Sequence, residues 1–357
     1  MRLLLVTNDF PPRPGGIQQY LRGLVDALDA EVRVLAPADP AAADEHGVVR
    51  GHRRFMWPTG RTRRWVEEQV EAFRPDVVLF GAPHPLAHLG PGVRERTGVP
   101  YGVLCHGAEV AIPAAFPIAR QLLRGSLRRA DVLFGVSAFT SARVERLTGR
   151  QVIRVGAGVD PAFSPGGGAP SMIVGCVSRF VPRKGQRRVI EAAARLRERG
   201  VPVSVLLVGT GRDEPALRRL AHRLGVPVRF EVGVAFDRLP DLYREMTVFA
   251  MPSHSRWFGL EAEGLGVVYL EAAATGLPVI AGDSGGAPET IEPGVTGFIA
   301  TSTAHVTDAL ARLLADPERA VAMGAAGRQR VQERFTWDAV ADRFEAGLAA
   351  AADGGDS

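Results

Sequence analysis

Short apolar runs rich in Val, Leu and Ile alternate along this chain with longer stretches in which apolar residues recur every three or four positions. That is the patterning of buried parallel strands joined by amphipathic crossover helices. Strands are predicted at residues 3–7, 32–36, 77–80, 101–105, 132–136 and 152–155, with helices at 17–28, 62–73, 117–129 and 138–148. The cycle then restarts with strands at 172–177, 203–208, 228–231, 248–251 and 279–281 and helices at 186–199, 214–224, 239–245 and 267–275. Three closing helices, 308–314, 318–335 and 337–351, have no strands between them and are expected to pack across a domain junction. Between the two cycles, residues 156–171 crowd Gly166, Gly167 and Gly168 together with Pro161, Pro165 and Pro170, the composition of a linker. The pattern therefore predicts an α/β protein with two doubly wound, Rossmann-like domains, 1–160 and 171–335, facing a cleft, and a helix at 336–351 crossing the junction. Ligands in such folds are held by loops at the carboxyl ends of the strands.

A length of 357 residues agrees with two cores rather than one. A hydrophobic fraction of 46% and a charged fraction of 23% leave disorder only for the tail after Ala350. No uncharged apolar run reaches the roughly 18 to 20 residues that span a bilayer, and residues 1–6 are too short for a signal-peptide core, so a cytoplasmic chain is expected. Cys105 and Cys176 are expected to be buried reduced thiols, since neither a disulfide framework nor a cysteine metal site has the right spacing. His46, His52, His84, His88, His222, His254 and His305 are scattered without metal-ligand spacing, and no metal site is expected.

Charge adds a second layer. The net +4 is uneven: residues 1–164 carry 21 Arg against 16 acidic residues, a net +5, and the remainder carries −1. Arg50, Arg53, Arg54, Arg61, Arg63 and Arg64 interleave with Phe55, Met56 and Trp57, which suits an anionic lipid surface as well as a solvated basic loop. No nucleic-acid partner is expected. Of the 43 basic residues only Lys184 is lysine.

Three segments carry candidate chemistry. Thr7 to Ile17 places Gly15 and Gly16 between the first strand and the first helix, where glycines let a ligand approach helix N-terminal amides or simply make a turn. The segment matches neither the dinucleotide nor the P-loop glycine fingerprint. Ser178 to Gly185 follows the first strand of the second domain and sets Arg179 and Lys184 five residues apart at a helix start, where two cations can hold a diphosphate as its bond breaks. In Glu263-Gly264-Leu265-Gly266-Val267-Val268-Tyr269-Leu270-Glu271, two carboxylates flank a glycine-rich helix start: its amides suit phosphate and its carboxylates suit sugar hydroxyls. Gly282 to Glu289 offers another loop of amides.

These elements, with His106-Gly107-Ala108-Glu109, resemble in order and spacing the retaining GT-B glycosyltransferases that use nucleotide sugars. Finer wording, including Asp9-Phe10-Pro11-Pro12-Arg13 and Val181-Pro182-Arg183-Lys184-Gly185-Gln186, is similar to the actinobacterial GDP-mannose-dependent phosphatidylinositol mannoside α-mannosyltransferases, which often carry His where this chain has Ala108. The resemblance implies that His106 lies beside the transferred sugar and Asp9 near the acceptor hydroxyl. Gly15 and Gly16 would approach the phosphates, and Arg179 and Lys184 would neutralise the departing diphosphate. Glu263 would bind sugar hydroxyls and Glu271 the ribose, with Gly264, Leu265, Gly266 and Val267 supplying donor contacts and Val232 and Gly233 lying near the base. The donor is expected to be GDP-mannose, with no resident cofactor; a divalent ion can accompany the diphosphate without a protein site. The implied acceptor is a glycolipid, with the enzyme peripheral on the inner face of the membrane. Another acceptor, a UDP-sugar donor or a nucleotide-sugar epimerase remain as alternatives.

Overall fold

The computed structural model describes residues 1–166 and 172–354. Within it the first unit, Met1–Gly158 with the closing helix, is built on a seven-stranded, wholly parallel sheet. Its strands are β1 (Arg2–Val6), β2 (Glu31–Ala36), β3 (Val48–Arg50), β4 (Val77–Phe80), β5 (Tyr101–Cys105), β6 (Val132–Gly135) and β7 (Ile153–Arg154), in the order β3-β2-β1-β4-β5-β6-β7. Helices α1 (Gly16–Ala27), α2 (Gly60–Phe73), α3 (Gly90–Thr97), α4 (Ala108–Ala114), α5 (Pro117–Arg129) and α6 (Ala138–Thr148) make the crossovers. Every residue of β4, β5 and β6 is buried, as continuous apolar runs covered on both faces must be. Polar residues mark the helix starts: the side chains of Thr59 and Ser137 accept from the amides of Thr62 and Thr140, capping α2 and α6.

The second unit, Val159–Thr336, repeats the plan with β8 (Ile173–Val177), β9 (Ser204–Val208), β10 (Val228–Glu231), β11 (Val248–Met251), β12 (Val279–Ala281) and β13 (Gly297–Ile299), all parallel and ordered β10-β9-β8-β11-β12-β13. Its helices are α7 (Gln186–Glu198), α8 (Glu214–Arg223), α9 (Leu239–Arg244), α10 (Val267–Ala274), α11 (Thr303–Ala315) and α12 (Pro317–Arg334). In both sheets the order reverses beside the first strand, between β1 and β4 and between β8 and β11, which opens a crevice at the carboxyl edge.

Several details differ from the sequence expectation. The short strands β3 and β13 and the helices α3 and α4 were not anticipated. Of the closing helices, α11 and α12 pack inside the second unit against α7 and α10, and only α13 (Trp337–Asp353) belongs to the first, laid on α1 with the Phe344 ring tilted against that of Phe134, centroids 4.3 Å apart. This helix runs past Ala350, where a disordered tail was expected, because Leu348 and Ala351 are buried. Residues 159–166 pack on the second unit instead of hanging as a linker: Phe163 is buried against Tyr243, and Arg244 donates to the carbonyls of Ala162 and Ser164. The rest of the expected linker, Gly167 to Ser171, lies outside the described residues.

Candidate active site

The crevice edge of the first unit gathers His106, Asp9 and the two glycines. His106 leaves the end of β5 and is buried, donating from Nε2 to the Gly81 carbonyl at 2.9 Å, so in the neutral ring Nδ1 is the acceptor. Tyr20 of α1 packs edge-on to the imidazole at 5.4 Å and is itself backed by Trp337 of α13, so the closing helix supports the histidine. Glu109 accepts from the amides of His106 and Gly107, folding its carboxylate back onto the start of α4. Asp9, half-buried, accepts from Gln18 Nε2 at 2.8 Å. Burial raises its carboxyl above the usual range and Glu109 adds to this, while His106 and Arg13 pull it back. Gly15 and Gly16 are exposed at the start of α1.

The second unit holds a denser arrangement. Lys184 sits in the turn after β8, buried, with Nζ on both oxygens of Glu263 at 3.0 and 2.8 Å. Arg183 donates to the same carboxylate at 2.7 Å, a contact that sequence reasoning missed because the partner is 80 positions away. Burial would raise the Glu263 carboxyl, but the two cations hold it at about 2. Burial lowers the Lys184 ammonium, opposed by Glu263. Backbone geometry fixes the cluster. Gly185 has φ 78°, and a Cβ there would lie 2.4 Å from the Pro252 carbonyl. Gly285, at φ 58°, passes so close that a Cβ would be 2.1 Å from the Glu263 carbonyl oxygen. Ser284 Oγ accepts from the Glu263 amide at 3.1 Å, so the glycine-rich loop after β12 positions this carboxylate.

The helix start forecast from the sequence is where the structure has it: Gly266, at φ 91°, caps α10, with Leu265 buried and Gly264 and Val267 partly exposed. Glu271 lies one turn in, buried, and accepts from Tyr243 Oη at 2.8 Å. Burial lifts this carboxyl to about 7 against the help of Tyr243. Tyr243, on α9, is the other residue missed. Arg179 is exposed, and its carbonyl accepts from Gln186 Nε2 at 2.8 Å. Val232 and Gly233 form an exposed turn after β10, on the same carboxyl edge.

Both cysteines are buried free thiols at or near strand ends; burial pushes Cys176 up to about 11 and raises Cys105 well above the usual thiol range. Among the described residues no three His, Cys, Asp or Glu side chains come together as a metal site, and no helix is long and apolar enough to cross a membrane. The basic segment 50–64 is less uniform than expected. Met56 is core, its backbone clamped by the Asn8 side chain, and Arg50 is turned inward to the carbonyls of Pro11 and Pro37. Arg53, Arg54, Phe55, Trp57, Arg61 and Arg64 are exposed.

Two parallel sheets of nucleotide-binding topology, each with polar groups at its carboxyl edge, define the architecture of a GT-B glycosyltransferase. Solved structures share the fold: sucrose-phosphate synthase from Thermosynechococcus elongatus, 21% identical over 97% of both chains, with a TM-score of 0.80, and Anabaena HepE in complex with UDP, 20% identical over 98% of this chain and 100% of that one, with a TM-score of 0.79. Residues 14–163 match the glycosyltransferase family 4 model and residues 168–330 the model for glycosyl transferases group 1. Among relatives, the GDP-mannose-dependent alpha-(1-6)-phosphatidylinositol monomannoside mannosyltransferase of Mycobacterium tuberculosis is 40% identical over 96% of this chain and 97% of its own. The monoacylated-substrate mannosyltransferase of Corynebacterium glutamicum is 36% identical over 96% of both. The chain belongs to the group 1 glycosyltransferase family.

Proposed function

We propose that this enzyme transfers mannose from GDP-mannose, with retention of configuration, to a phosphatidylinositol mannoside. The observation that carries the reading is the likeness to the mycobacterial mannosyltransferase, 40% identical over 96% of the chain. The geometry supports it. Lys184 and exposed Arg179 lie on the loop leading into α7, where positive charge stabilises a departing diphosphate most as its bond to the sugar breaks. Glu263, kept ionised by two cations, accepts hydrogen bonds from sugar hydroxyls, and Glu271 accepts from the ribose. His106 Nδ1 is the acceptor offered toward the transferred sugar, and Asp9 sits near the acceptor hydroxyl. No side chain serves as a nucleophile.

The acceptor reading brings the enzyme to a membrane. Along α4 and α5, Ile112, Phe116, Ile118 and Leu122 are 48%, 62%, 79% and 61% exposed, and α5 carries four arginines and no acid. An apolar stripe edged by cations is what a peripheral protein lays into an anionic leaflet. Calorimetry with GDP and UDP tests the donor: GDP binding at least about tenfold tighter supports the reading, and a preference for UDP removes the mannosyl assignment.

A further inference from the structure

A pocket of about 340 Å³ opens in the first unit at the opposite, amino-terminal edge of its sheet, where α5 ends and β6 begins. It is lined by Arg94, Arg128, Arg129 and Arg150 against Glu95 and Asp131, a surplus of two positive charges. The buried Tyr101 ring forms its floor and is fixed by donating to the Ser126 carbonyl at 2.6 Å. Helix C-terminal carbonyls would ordinarily repel an anion here. Arg150 removes that obstacle by donating to the carbonyls of Arg128, Ala130 and Asp131. Asp131 is also spoken for, since Arg94 takes one oxygen at 2.9 Å and the Tyr101 amide the other at 2.9 Å. Glu95 only reaches Arg129 at 3.7 Å, with both side chains well exposed, so that pair contributes little. Arg128 and Arg129 are therefore the charges with donors to spare, on a rim that is held by paired groups beneath.

We infer that this pocket is an anion site for a phosphate group, distinct from the donor site and independent of the glycosyl-transfer reading. Guanidinium forks match phosphate oxygens in geometry as well as charge, and the volume suits a phosphate with part of a headgroup. Arg129 lies on the same exposed face of α5 as Ile118 and Leu122, 11 and 7 positions earlier, so a helix bedded in a lipid surface by that stripe would turn the pocket mouth toward the headgroups.

The test is inorganic phosphate titrated by calorimetry at constant ionic strength into the full chain, Arg128→Gln/Arg129→Gln and Lys184→Ala. Binding that weakens about tenfold or more in the double variant and survives in Lys184→Ala supports the site. Absence of binding, or binding that the double variant keeps and Lys184→Ala loses, overturns it. Sedimentation with vesicles separates the sources. Preference for phosphatidic acid over phosphatidylglycerol at equal surface charge, lost in the double variant, makes the ligand a lipid headgroup; no preference, with phosphate binding intact, makes it a soluble phosphate.

Discussion

The two units share one sheet order yet prepare their crevice edges differently. In the second, buried Lys184 and partly buried Arg183 both pair with the buried Glu263 carboxylate before any ligand arrives. In the first, a histidine on a backbone carbonyl, a half-buried aspartate and two exposed glycines do the positioning, and the apolar and basic residues lie out on the surface. Stabilising a leaving diphosphate needs fixed charge that does not reorganise during the reaction, whereas admitting a lipid-borne acceptor needs access.

This contrast predicts opposite responses to mutation. Glu263→Gln leaves buried Lys184 and partly buried Arg183 without their counter-charge, and unfolding in urea should show a loss of about 3–5 kcal/mol. His106→Ala in the other unit removes one hydrogen bond and should lose only about 1–2 kcal/mol by the same measurement. Equal losses would erase the distinction. In wild type, the Glu263 contribution is full above its unfolded pKa of 4.5 and is lost as pH falls through about 2.

Lys184→Ala should lower turnover by about 100-fold or more in steady-state assays, because it removes charge stabilisation that is greatest as the diphosphate departs. Near-normal turnover would remove the electrostatic role assigned to the second unit.

Glu271 provides a finer test. Its carboxyl is raised from 4.5 to about 7, so the protonated form favours folding fully below 4.5 and that contribution is lost as pH rises through 7. Ribose hydroxyls donate best to the ionised form, so GDP affinity should rise about tenfold from pH 6 to 8. Calorimetry should find that this dependence vanishes in Glu271→Gln.

The surface of the first unit gives the smallest expected change. Ile118→Ser/Leu122→Ser should weaken sedimentation with anionic vesicles by about tenfold and leave GDP affinity unaltered. Unchanged sedimentation would return the apolar stripe to an incidental surface.

What the sequence disclosed follows from the range of each interaction. Strands such as β4 and β5 declare themselves as unbroken apolar runs, and the α10 start is written in its glycines. The strands β3 (Val-Val-Arg) and β13 (Gly-Phe-Ile) are only partly buried and each holds just two apolar residues in a row, so no unbroken apolar run marks them. Helix α4 contains Pro113, and α3 opens on Gly-Pro-Gly, both ordinarily read as breakers. Lys184 stood out as the lone lysine, but its bond to Glu263 spans 79 positions and the Tyr243–Glu271 bond spans 28, and no local pattern encodes either. Met56 looked like part of an exposed patch because the clamp from Asn8 comes from 48 residues earlier.

The most direct measurement is incubation of the enzyme with GDP-mannose labelled in the sugar, with and without phosphatidylinositol monomannoside, followed by analysis of the lipid fraction and the released nucleotide. The account predicts label in an α-linked mannolipid, with GDP released in equal amount and only when the acceptor is present. Release of GDP without acceptor, or no transfer to lipid, would contradict it.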